Sequence, residues 1–114
     1  MVIFGIKNCD TVKKARRWLD ANDVDFTFHD FRQEGLKQET IEVWLRKVSW
    51  ETLLNKRGMT WRQLDDPRKE QMNETIAIEL MLENPTLIKR PVMTVNDDCF
   101  VGFKEADYAA YFGK

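Results

Sequence analysis

The sequence predicts an α/β fold: a four-stranded mixed sheet with helices on its faces and a helical insertion between a βαβ half and a ββα half. Three observations carry that reading. Residues 1–31 alternate strand, helix and strand. The middle of the chain, about 36–85, shows only helical periodicity. After about residue 90 the apolar period returns to that of strands before one last helix. With 114 residues, the chain is read as one domain.

Val2-Ile3-Phe4-Gly5-Ile6 is a short apolar run, read as the first strand. A polar turn and Cys9 follow. Val12, Ala15 and Leu19 then fall at i, i+3 and i+7, on one face of a helix that stops at Asn22-Asp23. Val24, Phe26 and Phe28 alternate with Asp25, Thr27 and His29, the pattern of a half-buried second strand. A strand–helix–strand unit crosses over right-handed, so these two strands are parallel. His29, the only histidine, falls on the polar phase of its strand and is read as a surface or hydrogen-bonded residue.

Beyond Gly35, the spacing of Ile41, Trp44, Leu45 and Val48 predicts an amphipathic helix over about 38–48. Trp50, Leu53 and Leu54 lead into an irregular stretch closed by Asn55-Lys56-Arg57-Gly58, and one helical turn is expected within 60–66. Pro67 suits a helix start, Asn84-Pro85 an end, and Met72, Ile76 and Leu80 mark a helix over about 67–83. Val92–Asn96 and Cys99–Gly102, joined through Asn96-Asp97-Asp98, form a hairpin. A closing helix runs from about Lys104 to Phe112, with Ala106, Tyr108, Ala109, Ala110 and Phe112 available for packing.

Charged residues make up 32% and the net charge is −1, a balance that argues against a general nucleic-acid binder. No apolar run approaches the roughly 20 residues of a membrane span. There is no charged-then-apolar leader and no disulfide framework, so cytoplasmic residence is expected. Two cysteines far apart in sequence offer no paired zinc spacing, and no metal is expected. The charge is uneven: residues 1–17 carry +4, 54–62 +3 and 86–91 +2, while 20–51 and 64–84 each carry −4. Brought together, the positive segments would suit a small anionic ligand.

Cys9 is the residue with chemistry to explain. It sits where a strand ends and a helix begins, where the first backbone N–H groups lack intrahelical partners and the helix dipole is positive. A thiolate gains from both. Lys7, Lys13, Lys14, Arg16 and Arg17 face only Asp10 in the same stretch. Cys99 opens a strand and is read as a small buried hydrophobe, with a resolving thiol as the alternative.

Four segments in register carry a resemblance: Phe4-Gly5-Ile6-Lys7-Asn8-Cys9-Asp10-Thr11-Val12-Lys13-Lys14-Ala15; Leu53-Leu54-Asn55-Lys56-Arg57-Gly58; Asn84-Pro85-Thr86-Leu87-Ile88-Lys89-Arg90-Pro91-Val92; and Val101-Gly102-Phe103. Over essentially its whole length the chain resembles the arsenate reductase/Spx (ArsC-like) superfamily of thioredoxin-fold proteins, and within it the YffB branch.

The resemblance implies a cis peptide bond before Pro91, in a turn beside a redox-active Cys9, where the Arg90 backbone can pair with an extended thiol substrate. It implies glutathione as the small thiol and a helical insertion between the two halves. Three departures bear on activity. Arsenate reductases place a histidine four positions before the cysteine, where this chain has Gly5. Of their three oxyanion-binding arginines only Arg90 is matched, the others falling at Asn55 and Gly102. Spx regulators commonly carry a CxxC, whose second cysteine is Val12 here.

The expected function is a glutathione-dependent thiol–disulfide reductase working through the single thiol of Cys9. Lys7, Asn8, Thr11, Lys56, Arg57, Arg90 and Pro91 are the candidate substrate- and glutathione-binding residues. Glutathione would be a co-substrate and no cofactor would be bound. The expected partners are a small thiol, disulfide or oxyanion and, for an arsenate reductase, glutaredoxin; neither membrane nor direct nucleic-acid contact is expected. The alternatives are a glutaredoxin-coupled arsenate reductase and a Spx-like, non-catalytic partner of RNA polymerase.

Overall fold

A computed structural model describes residues 1–114. The sheet is four-stranded and mixed, in the order β2-β1-β3-β4, with β1 at Val2–Gly5, β2 at Thr27–Asp30, β3 at Val92–Val95 and β4 at Asp98–Val101. β1 runs parallel to β2 and antiparallel to β3, and β3 and β4 form the antiparallel hairpin. This is the α/β architecture expected from the sequence, a four-stranded mixed sheet whose βαβ and ββα parts are separated in the chain by a helical insertion. No helix is long and apolar enough to cross a membrane.

Two compact units make up the chain: residues 1–34 with 90–114, and residues 35–89. The first contains the sheet with α1 (Asp10–Ala21), the single turn α2 (Phe31–Glu34) and α7 (Glu105–Phe112). Val12, Ala15 and Leu19 of α1 are fully buried, as their spacing requires. Ile3, Ala15, Leu19, Met93, Val95 and Tyr108 form the core of this unit. At the C-terminus of α1 the Asn22 side-chain amide donates to the Trp18 carbonyl at 2.8 Å, and Asp23 turns the chain with φ 56°.

The second unit holds α3 (Gln38–Leu45), α4 (Trp50–Leu53), α5 (Met59–Gln63), a 3₁₀ turn at Pro67–Gln71, α6 (Glu74–Glu83) and a 3₁₀ turn at Pro85–Leu87. Ile41, Trp44, Leu53, Leu54, Ala77, Leu80, Met81, Leu87 and Ile88 are its buried residues. A single bridge pairs Leu54 with Ile88. It is flanked by Asn55 N–H donating to the Leu87 carbonyl at 2.7 Å and Lys89 N–H donating to the Leu53 carbonyl at 2.8 Å.

Several boundaries differ from the sequence expectation. The second strand begins at Thr27 rather than Val24, because pairing starts only where Thr27 meets Val2. The helix expected over 67–83 is two elements. The Asn73 side chain accepts the Ile76 N–H at 2.9 Å and starts a new helix, while Asp66 caps the preceding 3₁₀ turn through the Arg68 N–H at 2.9 Å. The stretch around Trp50 is a helical turn because Ser49 accepts the Thr52 N–H at 3.1 Å. In α7 the packing face is Tyr108, Tyr111 and Phe112. Ala106 and Ala110 point to solvent, since residues spaced by three and four share a face and these alanines lie off it.

Candidate active site around Cys9

Strand register gathers one set of residues at a single end of the sheet. Phe4 pairs with Val92 and Gly5 with Asp30, so the chain beyond Gly5 leaves the sheet where β2 ends and β3 begins. Arg90 and Pro91 directly precede Val92, the partner of Phe4, and so enter β3 at this end of the sheet. The Pro91 carbonyl accepts the Gly102 N–H at 2.8 Å, which brings Gly102 to the same end. Arg90–Pro91 is a cis peptide bond, as the resemblance implies.

Cys9 occupies the N-cap of α1 with extended backbone, φ −108° and ψ 124°. Its N–H donates to the Ile6 carbonyl at 3.2 Å and its carbonyl accepts the Lys13 N–H at 2.9 Å. The side chain makes no capping bond, which leaves the first backbone N–H groups of α1 to an incoming anion. Cys9 is half-exposed; Lys7, Asn8 and Thr11 are exposed around it, Arg90 is half-buried and Pro91 buried.

The loop between β1 and Cys9 is held by a residue that the sequence reading passed over. Asp30, 5% exposed, accepts the N–H of Lys7 at 3.0 Å, of Arg32 at 2.8 Å and of Gln33 at 3.3 Å. Its own N–H donates to the Glu34 carboxylate at 3.0 Å. Burial alone would push the Asp30 carboxyl up. The N–H groups of Arg32, Lys7 and Gln33, with the Arg32 charge, outweigh it and hold the carboxyl below the usual aspartate value. Part of the signal was in the sequence: an aspartate at a strand end with Gln33 three residues later has capping-box spacing, although the acceptor of the Asp30 N–H is Glu34, one residue further on.

Gly5 has a packing reason to be glycine. A Cβ there would lie 2.7 Å from Cγ2 of the fully buried Val12. A histidine at this position would displace the first buried residue of α1.

Cys99 lies at the other end of the sheet. It pairs with Thr94, and Thr94 pairs with Val2 at the start of β1. With strands about 4.8 Å apart and about 3.3 Å of rise per residue, Cys99 is well beyond the roughly 7 Å Cα separation that a disulfide to Cys9 needs. Burial pushes the Cys99 thiol up to about 11.

Lys56 and Arg57 belong to the second unit and assemble there with Lys89, whose charge the sequence reading counted without placing it in the site. The three line an open groove of about 330 Å³ with Glu51 and Leu54. The Asn55 side chain accepts the Arg57 N–H at 3.1 Å, and the Arg62 guanidinium donates to the Arg57 carbonyl at 2.7 Å. The Lys56 ammonium stands 5.5 Å from the ring centre of Trp50 and 5.7 Å from that of Trp61.

Comparison with known proteins agrees with this fold and motif order. The family model described as "ArsC family" matches residues 4–111. The solved structure of a YffB protein superposes with a TM-score of 0.92 at 47% identity, covering 96% of each chain. An arsenate reductase (ArsC) related protein from Brucella melitensis gives a TM-score of 0.77 at 48% identity, covering 99% of this chain and 94% of the other. The global transcriptional regulator Spx of Lactiplantibacillus plantarum is 27% identical over 92% of this chain and 80% of its own length. With a cysteine at the first strand–helix junction, a cis-proline turn at the same sheet end and the family pattern over nearly all its length, the chain belongs to the ArsC family.

Proposed function

We propose that this protein is a glutathione-dependent thiol–disulfide reductase acting through Cys9 alone. The observation that carries the proposal is the placement of Cys9: a half-exposed thiol at the N-cap of a 12-residue helix, with the capping position unused by its side chain. In the first step the Cys9 thiolate attacks a mixed disulfide R–S–S–G at the glutathione sulfur. The Cys9–S–S–G bond forms, the S–S bond of R–S–S–G breaks, and R–S⁻ leaves to take a proton. In the second step a glutathione thiolate attacks the glutathione sulfur of Cys9–S–S–G, giving oxidised glutathione and restoring Cys9. The net reaction reduces R–S–S–G with the electrons of glutathione.

Lys7 and Arg90 would hold the thiolate and the glutathione carboxylates. Asn8 and Thr11 would supply hydrogen bonds, and the Arg90 backbone before Pro91 would align the extended tripeptide. A resolving role for Cys99 is not part of the cycle, because the register sets it at the opposite end of the sheet. Arsenate reduction is the weaker reading: Gly5, packed on Val12, has no room for the histidine of those enzymes, and Gly102 stands for an arginine.

The test is turnover of the mixed disulfide of glutathione and 2-mercaptoethanol, followed by formation of oxidised glutathione. Cys9→Ser is expected to abolish it and Cys99→Ser to retain it. Retained activity in Cys9→Ser would remove the proposal. The likeness to Spx supplies a second reading, a non-catalytic partner of RNA polymerase, which predicts polymerase binding that Cys9→Ser leaves intact.

A further inference from the structure

The face of the first unit formed by α1 and the start of α7 carries chemistry that the thiol reaction does not use. Lys13, Lys14 and Arg17 are exposed along α1, and no carboxylate stands within ion-pair distance of any of them. Beside them lies an open groove of about 350 Å³ lined by Lys14, Arg17, Trp18, Phe103 and Glu105. Trp18 and Phe103 are half-buried, and both pack edge-on against the buried ring of Tyr108, with centroids at 5.8 and 4.7 Å. They form an aromatic patch flanked by Lys14 and Arg17 on one side and Glu105 on the other. A second depression of about 220 Å³, lined by Lys13, Arg16, Arg17 and Asp20, lies beside it on the same helix. Arg16 itself is committed, its guanidinium stacked 4.1 Å above the Phe28 ring.

We propose that this face docks an acidic polypeptide segment bearing one aromatic or large aliphatic side chain. The anchor would sit on Trp18 and Phe103, and the flanking carboxylates would meet Lys13, Lys14 and Arg17. Charge complementarity selects the occupant. Unpaired cations attract carboxylates, while Glu105 beside the aromatic patch and Asp20 in the second depression repel them and so set where along the face the carboxylates lie. The two depressions share Arg17 and together span residues 13–20 of α1, about 12 Å along its axis, which is the reach of about three or four extended residues rather than of one small anion. The aromatic patch is already ordered by Tyr108, so an apolar anchor need not order its own site. The proposal concerns binding and does not depend on the redox reading of Cys9.

The experiment is a ¹⁵N NMR titration of the whole protein with three synthetic peptides: one rich in Asp and Glu with a central Phe, the same peptide with Ala for Phe, and a Lys-rich peptide with Phe. The first is expected to shift the amides of Lys13–Trp18 and Phe103–Glu105 and the Trp18 indole N–H saturably, and less tightly as salt is raised. The Ala peptide should bind several-fold more weakly, and the Lys-rich peptide should produce no saturable shifts. Lys14→Glu combined with Arg17→Glu should weaken the first peptide about tenfold or more, while Lys56→Glu with Arg57→Glu should leave it unchanged. These side chains are exposed, and unchanged sheet amide shifts verify that the variants fold. The proposal is overturned if the α1 double variant binds as wild type does, or if shifts spread over both basic surfaces. It is equally overturned if a phosphatidylserine vesicle or a single-stranded oligonucleotide occupies this face as tightly as the peptide.

Discussion

The carboxylate of Asp30 accepts the backbone N–H of Lys7 at 3.0 Å, tying the end of β2 to the loop that carries Cys9. The same carboxylate caps α2, so one buried side chain sets both the β1–α1 loop and the chain direction after β2. Asp30→Ala leaves three N–H groups without their acceptor and is expected to cost about 3 kcal/mol, read from urea unfolding. The pH dependence has a definite sign. The folded carboxyl titrates below its unfolded value of about 4, so its contribution is complete above that pH and is lost as pH falls through the folded value. Asp30→Asn should therefore flatten the acid limb of the stability curve. An unchanged acid limb would show that Asp30 does not hold the loop.

Gly5 and Val12 fit each other as backbone and methyl group. Gly5→Ala is expected to destabilise by about 1–3 kcal/mol, because its Cβ meets a stiff β-branched side chain that has no exposed space to enter. Gly5→Ala with Val12→Ala should be less destabilised than the two single changes added together. Strict additivity in a double-mutant cycle would contradict the contact.

Tyr108 is buried among Trp18, Phe100, Phe103 and Phe112, and its hydroxyl has no hydrogen-bond partner. Burial pushes its phenol well above the usual tyrosine value. Removing an unpaired buried hydroxyl while keeping the ring costs nothing in packing, so Tyr108→Phe should be neutral or stabilising by up to about 1 kcal/mol. Tyr108→Ala should cost about 3–5 kcal/mol. A clear loss of stability in Tyr108→Phe would mean that the hydroxyl is paired.

Arg68 bridges three carboxylates of the second unit: Asp66 at 2.8 Å, Glu79 at 3.3 Å and Glu83 at 2.7 Å. The Arg68 hydrogen bonds hold Asp66 down at about 2 and also lower Glu83. Both folded values lie below the unfolded ones. The contribution is therefore present above about pH 4 and fades as pH falls toward 2. The cluster is open to solvent, so Arg68→Ala should lower the thermal midpoint only modestly, with less effect at high salt than at low. A salt-independent effect would point to lost packing of the side-chain stem instead.

Much of this protein was legible in its residues. Val12, Ala15 and Leu19 announce α1 because three apolar side chains at helical spacing have one way to be buried together. Val92–Val95 and Asp98–Val101 announce the hairpin for the corresponding reason at period two. The position of Cys9 at a strand–helix junction followed directly, and with it the candidate chemistry. Local hydrogen bonding was less legible. Asn73 splits one expected helix into two, and Ser49 makes a helical turn of a stretch read as irregular, because a capping side chain acts through geometry that composition does not show.

Tertiary pairing alone decided the rest. Register set Cys99 at the far end of the sheet from Cys9 and brought Asp30 to the Lys7 loop, and neither relation can be read along the chain, because adjacent strands fix distances between residues with no sequence proximity. A linear pattern states which face of an element is apolar; only the pairing of those elements determines which polar groups meet at its end.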